Sequence, residues 1–197
     1  DTNNDGDSDD EGTSGPKTPS KMRKLLEMAT PSKNGDDETT SRLAALSLLA
    51  IFQDIIPHYR IRLPTAAERA VRVTKDVKTL WDYEGKLLLT YQQYLKLLDS
   101  LWQSGCGKET KRQDAAISTV GVTAILCMCE LLKTASHFNF RSNVLRIVVK
   151  QMNHRTCEEV STACCSAVSH VFKTDKQGEI ALEATRAISK MIKERYD

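Results

Sequence analysis

A hydrophobic stretch that ends at a proline constrains the fold of this chain most strongly. Residues 42–62 read RLAALSLLAIFQDIIPHYRIR, and their apolar side chains recur at spacings of three and four residues. The spacing predicts an amphipathic helix that buries Leu43, Leu46, Leu49, Ala50 and Ile55, with Phe52 near them. Pro57 should end this helix, because proline disfavours helical dihedral angles in the residue before it. Residues 58–62 are then expected to leave the helix as an extended or turning segment before Pro64.

Helical patterns continue from residue 40 to the end of the sequence, and no segment alternates as a strand would. Thr65 and Glu68 match a capping box, which predicts a long helix running almost to Gly105 with Gly85 as its one weak point. Its apolar stripe is predicted to include Val73, Val77, Leu80, Leu88, Tyr91, Leu95, Leu98 and Trp102. Further helices are predicted at 111–133, at 144–152 with Ser142 as cap, after a second capping box of Thr156 and Glu159, and at 180–196.

Successive helices with short links and apolar faces that need neighbours on both sides favour stacked helix pairs over a closed bundle. We predict an all-α fold, an irregular HEAT- or armadillo-like α-solenoid over residues 41–197. A strict internal repeat is missing, which counts mildly against a solenoid, and a four- or five-helix bundle is the alternative. Because the sequence lacks an initiator methionine and ends within a helical pattern, we expect it to be a fragment of a longer protein.

Residues 1–40 differ in composition from the rest. They are rich in Asp, Gly, Ser, Thr and Pro, which predicts a disordered acidic arm. Within it, residues 20–29 could form a helical turn or two on a partner, although alone they are too short to be stable. The acidic residues at the start have no basic neighbour, whereas residues 60–78 are predominantly basic, so the formal net charge of +2 conceals an asymmetry. The arm is interpreted as a solubilising tail, and the alternative is that it competes with nucleic acid for the basic residues.

The sequence shows no recognisable machinery for catalysis or for metal binding. Most of the six cysteines fall within helical stretches, which favours reduced, buried thiols. His154 and Cys157 with Cys164 and Cys165 match zinc spacing poorly, because adjacent cysteines point to different sides of one helix. Phosphate loops and nucleophile motifs are missing. We therefore predict a protein that is not an enzyme, with no cofactor and no metal. Since no apolar run approaches the roughly 20 residues that cross a bilayer, we expect a soluble intracellular protein with no membrane partner.

A basic stretch is the better functional candidate. Its cations are Arg60, Arg62, Arg69, Arg72, Lys75 and Lys78, in the turn and on the first turns of the predicted long helix. Arg69, Arg72 and Lys75 should share one helix face, which can contact RNA phosphates. The alternative is a solvated face paired locally with Glu68 and Asp76. Tyr59 could stack on an exposed base, although packing between the first two helices ranks ahead of stacking.

Two segments, in order, resemble a known family. LLAIFQDIIPHYRIRLPT (48–65), followed by AAERAVRVTKDVKTLWDYEGKLLLTYQQYLKLLD (66–99), resembles the opening motif of the nucleolar complex-associated protein 3 family. TASHFNFRSNVLRIVVKQMN (134–153) resembles a second signature of that family, at a compatible distance. The resemblance covers residues 41–196 and implies an irregular helical solenoid, of which this chain would be the N-terminal portion.

The same resemblance implies a role in the nucleolus and nucleus. It implies a non-catalytic scaffold for maturation of the large ribosomal subunit precursor, bound to a sister nucleolar complex protein, other large-subunit assembly factors and precursor ribosomal RNA. The alternative is a chromatin-bound adaptor in DNA replication initiation, with replication-initiation proteins as partners. RNA contact should make binding fall steeply with salt, whereas a protein-only adaptor would leave Arg60, Arg62 and Arg72 dispensable.

Overall fold

In a computed structural model, the structure describes residues 21–30, 38–105 and 118–196. These residues form eight α-helices and no strand: α1 (Lys21–Ala29), α2 (Glu38–Ile55), α3 (Ala66–Ala70), α4 (Lys75–Gly105), α5 (Thr119–Thr134), α6 (Arg141–Gln151), α7 (Glu158–Thr174) and α8 (Glu179–Tyr196). The predicted all-α fold is therefore confirmed. Over the same residues, no helix combines the length and the apolar character that crossing a bilayer requires.

A short helix lies inside the predicted acidic arm. α1 packs against α2 and α4, and its last residue, Ala29, is fully buried. The Ser41 hydroxyl donates a 2.6 Å hydrogen bond to the Ala29 carbonyl, which ties the end of α1 to α2. Burial supplies the stability that an isolated nine-residue helix lacks. At residues 21–30 the structure thus differs from the predicted arm, because α1 packs against α2 and α4 of the same chain instead of against a partner. The rest of that arm, residues 1–20 and 31–37, lies outside the described residues.

α2 ends at Ile55 as predicted, but it buries a different face. Its buried residues are Ser41, Ala44, Ala45, Leu48, Leu49 and Phe52. Leu43 is 60% exposed, and Leu46 and Ala50 are exposed as well, so the predicted face is wrong for these three residues. The Phe52 ring sits 5.2 Å from that of Tyr91 and 5.1 Å from that of Tyr94. A cluster of aromatic rings, with alanines that allow close approach, sets the rotation of α2, and Leu43 and Leu46 are left on the exposed side.

α5 is the central helix and contacts α2, α4, α6 and α7. Side-chain hydrogen bonds join α2 to α5 at a constant separation of 81 residues, in the pairs Glu38–Thr119, Arg42–Thr123 and Gln53–Thr134. The constant separation means that the two helices run in parallel. α7 lies on the other side of α5, where the Cys129 and Cys164 sulfur atoms are 3.7 Å apart. This order suits both a stacked array and a bundle, so the solenoid stays a prediction.

The predicted long helix is interrupted, and the break does not lie at Gly85. The capping box of Thr65 and Glu68 is confirmed, but α3 ends at Ala70, and Val71 is extended at φ −79° and ψ 139°. α4 begins at Lys75, so residues 71–74 form a link between the two helices. Valines at 71 and 73 and a threonine at 74 are weak helix formers because their branched side chains crowd the preceding turn, which places the break here. Gly85 lies inside α4 without interrupting it.

Two of the predicted caps are wrong. α6 starts after Phe140, which is left-handed at φ 64°, and Ser142 does not cap it. α7 starts after Cys157, which makes no capping hydrogen bond, so Thr156 and Glu159 form no box. The helix predicted from residue 111 begins at Thr119 with Ser118 as its cap, and residues 106–117 lie outside the described residues.

Candidate nucleic-acid interface

The turn after Pro57 is held by side-chain hydrogen bonds from the corner between α5 and α6, a contact that we call the clasp. The Asn139 side chain pairs with the backbone of Ile61: its oxygen accepts from the Ile61 N–H at 2.9 Å, and its nitrogen donates to the Ile61 carbonyl at 3.0 Å. His137 Nε2 lies 3.0 Å from the Pro57 carbonyl oxygen. The two segments that carry the family resemblance therefore meet here, although about 80 residues separate them along the chain.

Arg60 and Tyr59 lie on the outer side of this clasp. Arg60 is exposed, and its Nε donates a 3.2 Å hydrogen bond to the His137 carbonyl. The Tyr59 hydroxyl donates a 2.7 Å hydrogen bond to Oε1 of the buried Glu84, and this bond raises the pKa of Tyr59 above its ordinary value. Tyr59 is nonetheless 54% exposed. It is therefore tethered through its hydroxyl and does not join the predicted hydrophobic closure between the first two helices.

Arg62 is engaged in the cap of α3. Its Nη2 lies 2.6 Å from Glu68 Oε1, while Glu68 Oε2 accepts from the Thr65 N–H at 2.7 Å. The backbone hydrogen bond from Thr65 and then the Arg62 guanidinium lower the pKa of Glu68 to about 2. Because Arg62 already faces a carboxylate, it is the weakest phosphate-binding candidate among the six cations.

Arg69, Arg72, Lys75 and Lys78, which we term the four-cation cluster, are all exposed. They make no ion pair or side-chain hydrogen bond with any residue that the structure describes. Arg69 lies on α3, Arg72 in the link, and both lysines in the first turn of α4. The predicted single helix face is wrong because the link interrupts the helix. Asp76, which was expected to pair locally, makes no ion pair within the described ranges, so the four charges are available to an outside anion.

Exposed apolar side chains lie among these cations. Val71 is 63% exposed, and it lines a cleft of about 260 Å³ together with Val73 and Trp81. Leu80 is exposed on the next part of α4, whose buried residues begin only at Glu84. Val73, Val77 and Leu80 were predicted to belong to a buried stripe, and the structure leaves all three exposed because the start of α4 extends beyond the core. Arginines around apolar side chains are also typical of protein interfaces.

The cysteines and histidines that the structure describes do not assemble into a metal site. Across residues 21–30, 38–105 and 118–196, no three His, Cys, Asp or Glu side chains are placed to hold a metal ion. His154 instead packs edge-on against Trp102, with ring centroids 5.4 Å apart. Cys127, Cys129 and Cys164 are buried thiols as predicted, whereas Cys165 is exposed.

Comparison with known proteins gives consistent matches. A family model described as nucleolar complex-associated protein matches residues 14–94. The nucleolar complex protein 3 homolog of Xenopus laevis is 35% identical over 184 residues, which cover 89% of this chain and 23% of the relative. The nucleolar complex-associated protein 3 of Arabidopsis thaliana is 37% identical over 154 residues, covering 77% of this chain and 17% of the relative. The Saccharomyces cerevisiae protein of the same name is 31% identical over 182 residues, which cover 89% of this chain and 25% of the relative. The chain thus spans about a quarter or less of the length of these curated relatives.

Proposed function

The chain belongs to the nucleolar complex-associated protein 3 family, and from that membership we propose that it is part of a non-catalytic assembly factor for the large ribosomal subunit precursor. Its relatives are named as nucleolar complex proteins, and the predicted nucleolar and nuclear localisation is confirmed. In this proposal the helices form a scaffold that binds a sister nucleolar complex protein, other assembly factors and precursor ribosomal RNA.

The observation that supports RNA contact is the four-cation cluster. Its members fall within ten residues of sequence, are exposed, and have no ion pair with another described residue. Phosphate oxygens pair with such charges without demanding a particular base, so the cluster would position the RNA without reading its sequence. If each cation contacts one phosphate of a single strand, the cluster contributes about −3 to the slope of log K against log salt, at roughly −0.7 per phosphate.

The test is a salt titration of RNA binding. Fluorescence anisotropy would measure the affinity for a labelled fragment of large-subunit precursor RNA between about 50 and 200 mM salt. The variant replaces all four cluster residues by glutamine, and its matched control replaces Arg155, Lys173, Lys176 and Lys193, which are exposed cations elsewhere. We expect the cluster variant to lose about 3 from the slope and the control to keep it. Equal slopes in the two variants would contradict the RNA proposal.

The second candidate is the chromatin-bound adaptor in replication initiation, which would act through protein contacts. The apolar side chains exposed beside the cluster, Val71 and Leu80 among them, favour a protein on this surface. Leu80→Ser removes apolar area without changing charge. Loss of replication-initiation proteins from the purified complex of this variant, with an unchanged salt slope for RNA, would favour the adaptor. Retention of those proteins would oppose it.

A further inference from the structure

A groove of about 670 Å³ lies between the end of α4, the length of α6 and the length of α8. The residues that line the groove do not include any cation of the basic stretch, and those from α4 lie at the opposite end of that helix from Lys75 and Lys78. Its apolar lining includes Ile147, Ala187 and Met191, which are half-buried and packed against the core. These residues make an apolar strip along the groove that remains open to a ligand.

The two helices that border the groove run in the same direction. Arg141, at the start of α6, lies 3.1 Å from Glu183 Oε2 and 3.6 Å from Glu179 Oε2, both at the start of α8. On α6 the lining extends from Ser142 to Gln151, which at about 1.5 Å per residue corresponds to about 14 Å. A groove of that length accommodates about three turns of a helix.

Cations border this apolar strip on both helices. Arg146 and Lys150 stand one turn apart on α6, and Arg186 and Lys190 stand one turn apart on α8. Lys190 has an exposed partner in Glu194 at 3.6 Å, whereas the other three make no ion pair with a residue in the described ranges. Like charges at this spacing repel each other within each helix, so anionic groups placed between the helices would relieve the repulsion.

The acidic residues that line the groove do not balance these charges. Glu183 is already paired with Arg141, and Glu194 is the partner of Lys190. Among the lining residues this leaves Asp99 alone against Arg146, Lys150 and Arg186. The groove therefore presents an apolar strip between positive borders, and its complement is apolar along one face and negative on both flanks.

We propose that this groove docks an acidic amphipathic helix from a protein partner. Apolar side chains at positions i, i+3 or i+4, and i+7 of that helix contact the strip, and flanking Asp or Glu residues pair with the cations on α6 and α8. RNA fits less well, because phosphate contacts to the cations would leave the apolar strip uncovered, and the lining tryptophan, Trp102, is only 5% exposed and offers no stacking surface for a base.

Site-specific photo-crosslinking in the full-length protein tests the proposal. A photoreactive phenylalanine analogue replaces Gln103 or Ser142, which line the groove, or Thr162, an exposed position on α7 that does not. After irradiation in cells, the crosslinked peptide is sequenced by mass spectrometry. We expect both groove positions to capture a protein segment with apolar residues at helical spacing and carboxylates beside them, and Thr162 not to capture it.

A charge variant completes the design. Arg146→Glu with Arg186→Glu should lower the crosslink yield at least tenfold, while Arg155→Glu with Lys173→Glu should leave it unchanged. Because all four side chains are exposed, both variants are expected to fold, which circular dichroism verifies. Exchanging the partner's carboxylates for lysines should restore the yield in the first variant. Capture of RNA, of a segment without carboxylates, or of nothing at either groove position would overturn the proposal, whatever the salt slope of the four-cation cluster.

Discussion

The substitution Asn139→Ala tests whether the corner between α5 and α6 positions the basic stretch. The substitution removes both hydrogen bonds to the Ile61 backbone and introduces no new group. Ile61 is 4% exposed, so little water can replace the lost partners. Because each of the two buried backbone groups left unpaired costs about 1–3 kcal/mol, the free energy of unfolding should fall by at least about 2 kcal/mol. A change of that size lowers the melting temperature of a domain of this length by about 4–8 °C.

Thermal unfolding measures that loss, and hydrogen exchange locates it. Peptides that cover residues 57–65 should exchange faster in Asn139→Ala, while peptides from α5 and α7 should keep their relative protection. Asn143→Ala is the matched control, because this asparagine is exposed near the same corner and its side chain bonds to no other described residue. The control should change stability by no more than about 0.5 kcal/mol. A drop below 2 °C together with unchanged exchange at 57–65 would refute the positioning role of Asn139.

Four further substitutions and one titration test other parts of the structure. Phe52→Ala should cost about 3–5 kcal/mol in chemical denaturation because the ring is fully buried, whereas Leu43→Ala should cost less than about 0.5 kcal/mol; a larger cost for Leu43→Ala than for Phe52→Ala would mean that α2 buries the other face. Gly105→Ala should destabilise the protein, because a Cβ there would lie 2.9 Å from the backbone of α5. Gly85→Ala should stabilise it by about 0.5–1 kcal/mol, because the atom nearest to the added Cβ would be a leucine methyl at 3.7 Å. The pKa of Glu68, about 2 against an ordinary 4.5, lies below its unfolded value, so its capping contribution is full above pH 4.5 and is lost as the pH falls toward 2. An NMR titration of the Glu68 carboxyl group with a midpoint near 4.5 would contradict that cap.

Local sequence signals predicted much of the fold. The helix end before Pro57 and the capping box of Thr65 and Glu68 follow from backbone sterics and from hydrogen bonds within four residues, and the structure contains both. The face of α2 could not be chosen in the same way. Its leucine stripe and its Ala44, Ala45 and Phe52 face have comparable helical spacing, and the choice depends on aromatic rings that α4 contributes.

The sequence predicted which cations form the candidate site but not how the structure arranges them. The sequence identified the cations but not the break at residues 71–74, because weak helix propensities over four residues are easily overridden by packing. The clasp of Ile61 by Asn139 was missed because it joins positions 78 residues apart, which no local pattern connects. The available signal was that both residues fall within the two segments that resemble one family.

In-cell crosslinking and sequencing of bound RNA would show whether the four-cation cluster contacts precursor ribosomal RNA. The tagged full-length protein would be compared with its combined Arg69→Gln, Arg72→Gln, Lys75→Gln and Lys78→Gln variant, with Arg62 left intact to preserve the cap of α3. We expect precursor large-subunit RNA to be enriched with the wild-type protein and its crosslinks to decrease in the variant, while nucleolar localisation is unchanged. Equal crosslinks from both proteins, or no enrichment of ribosomal precursor RNA with the wild type, would contradict it.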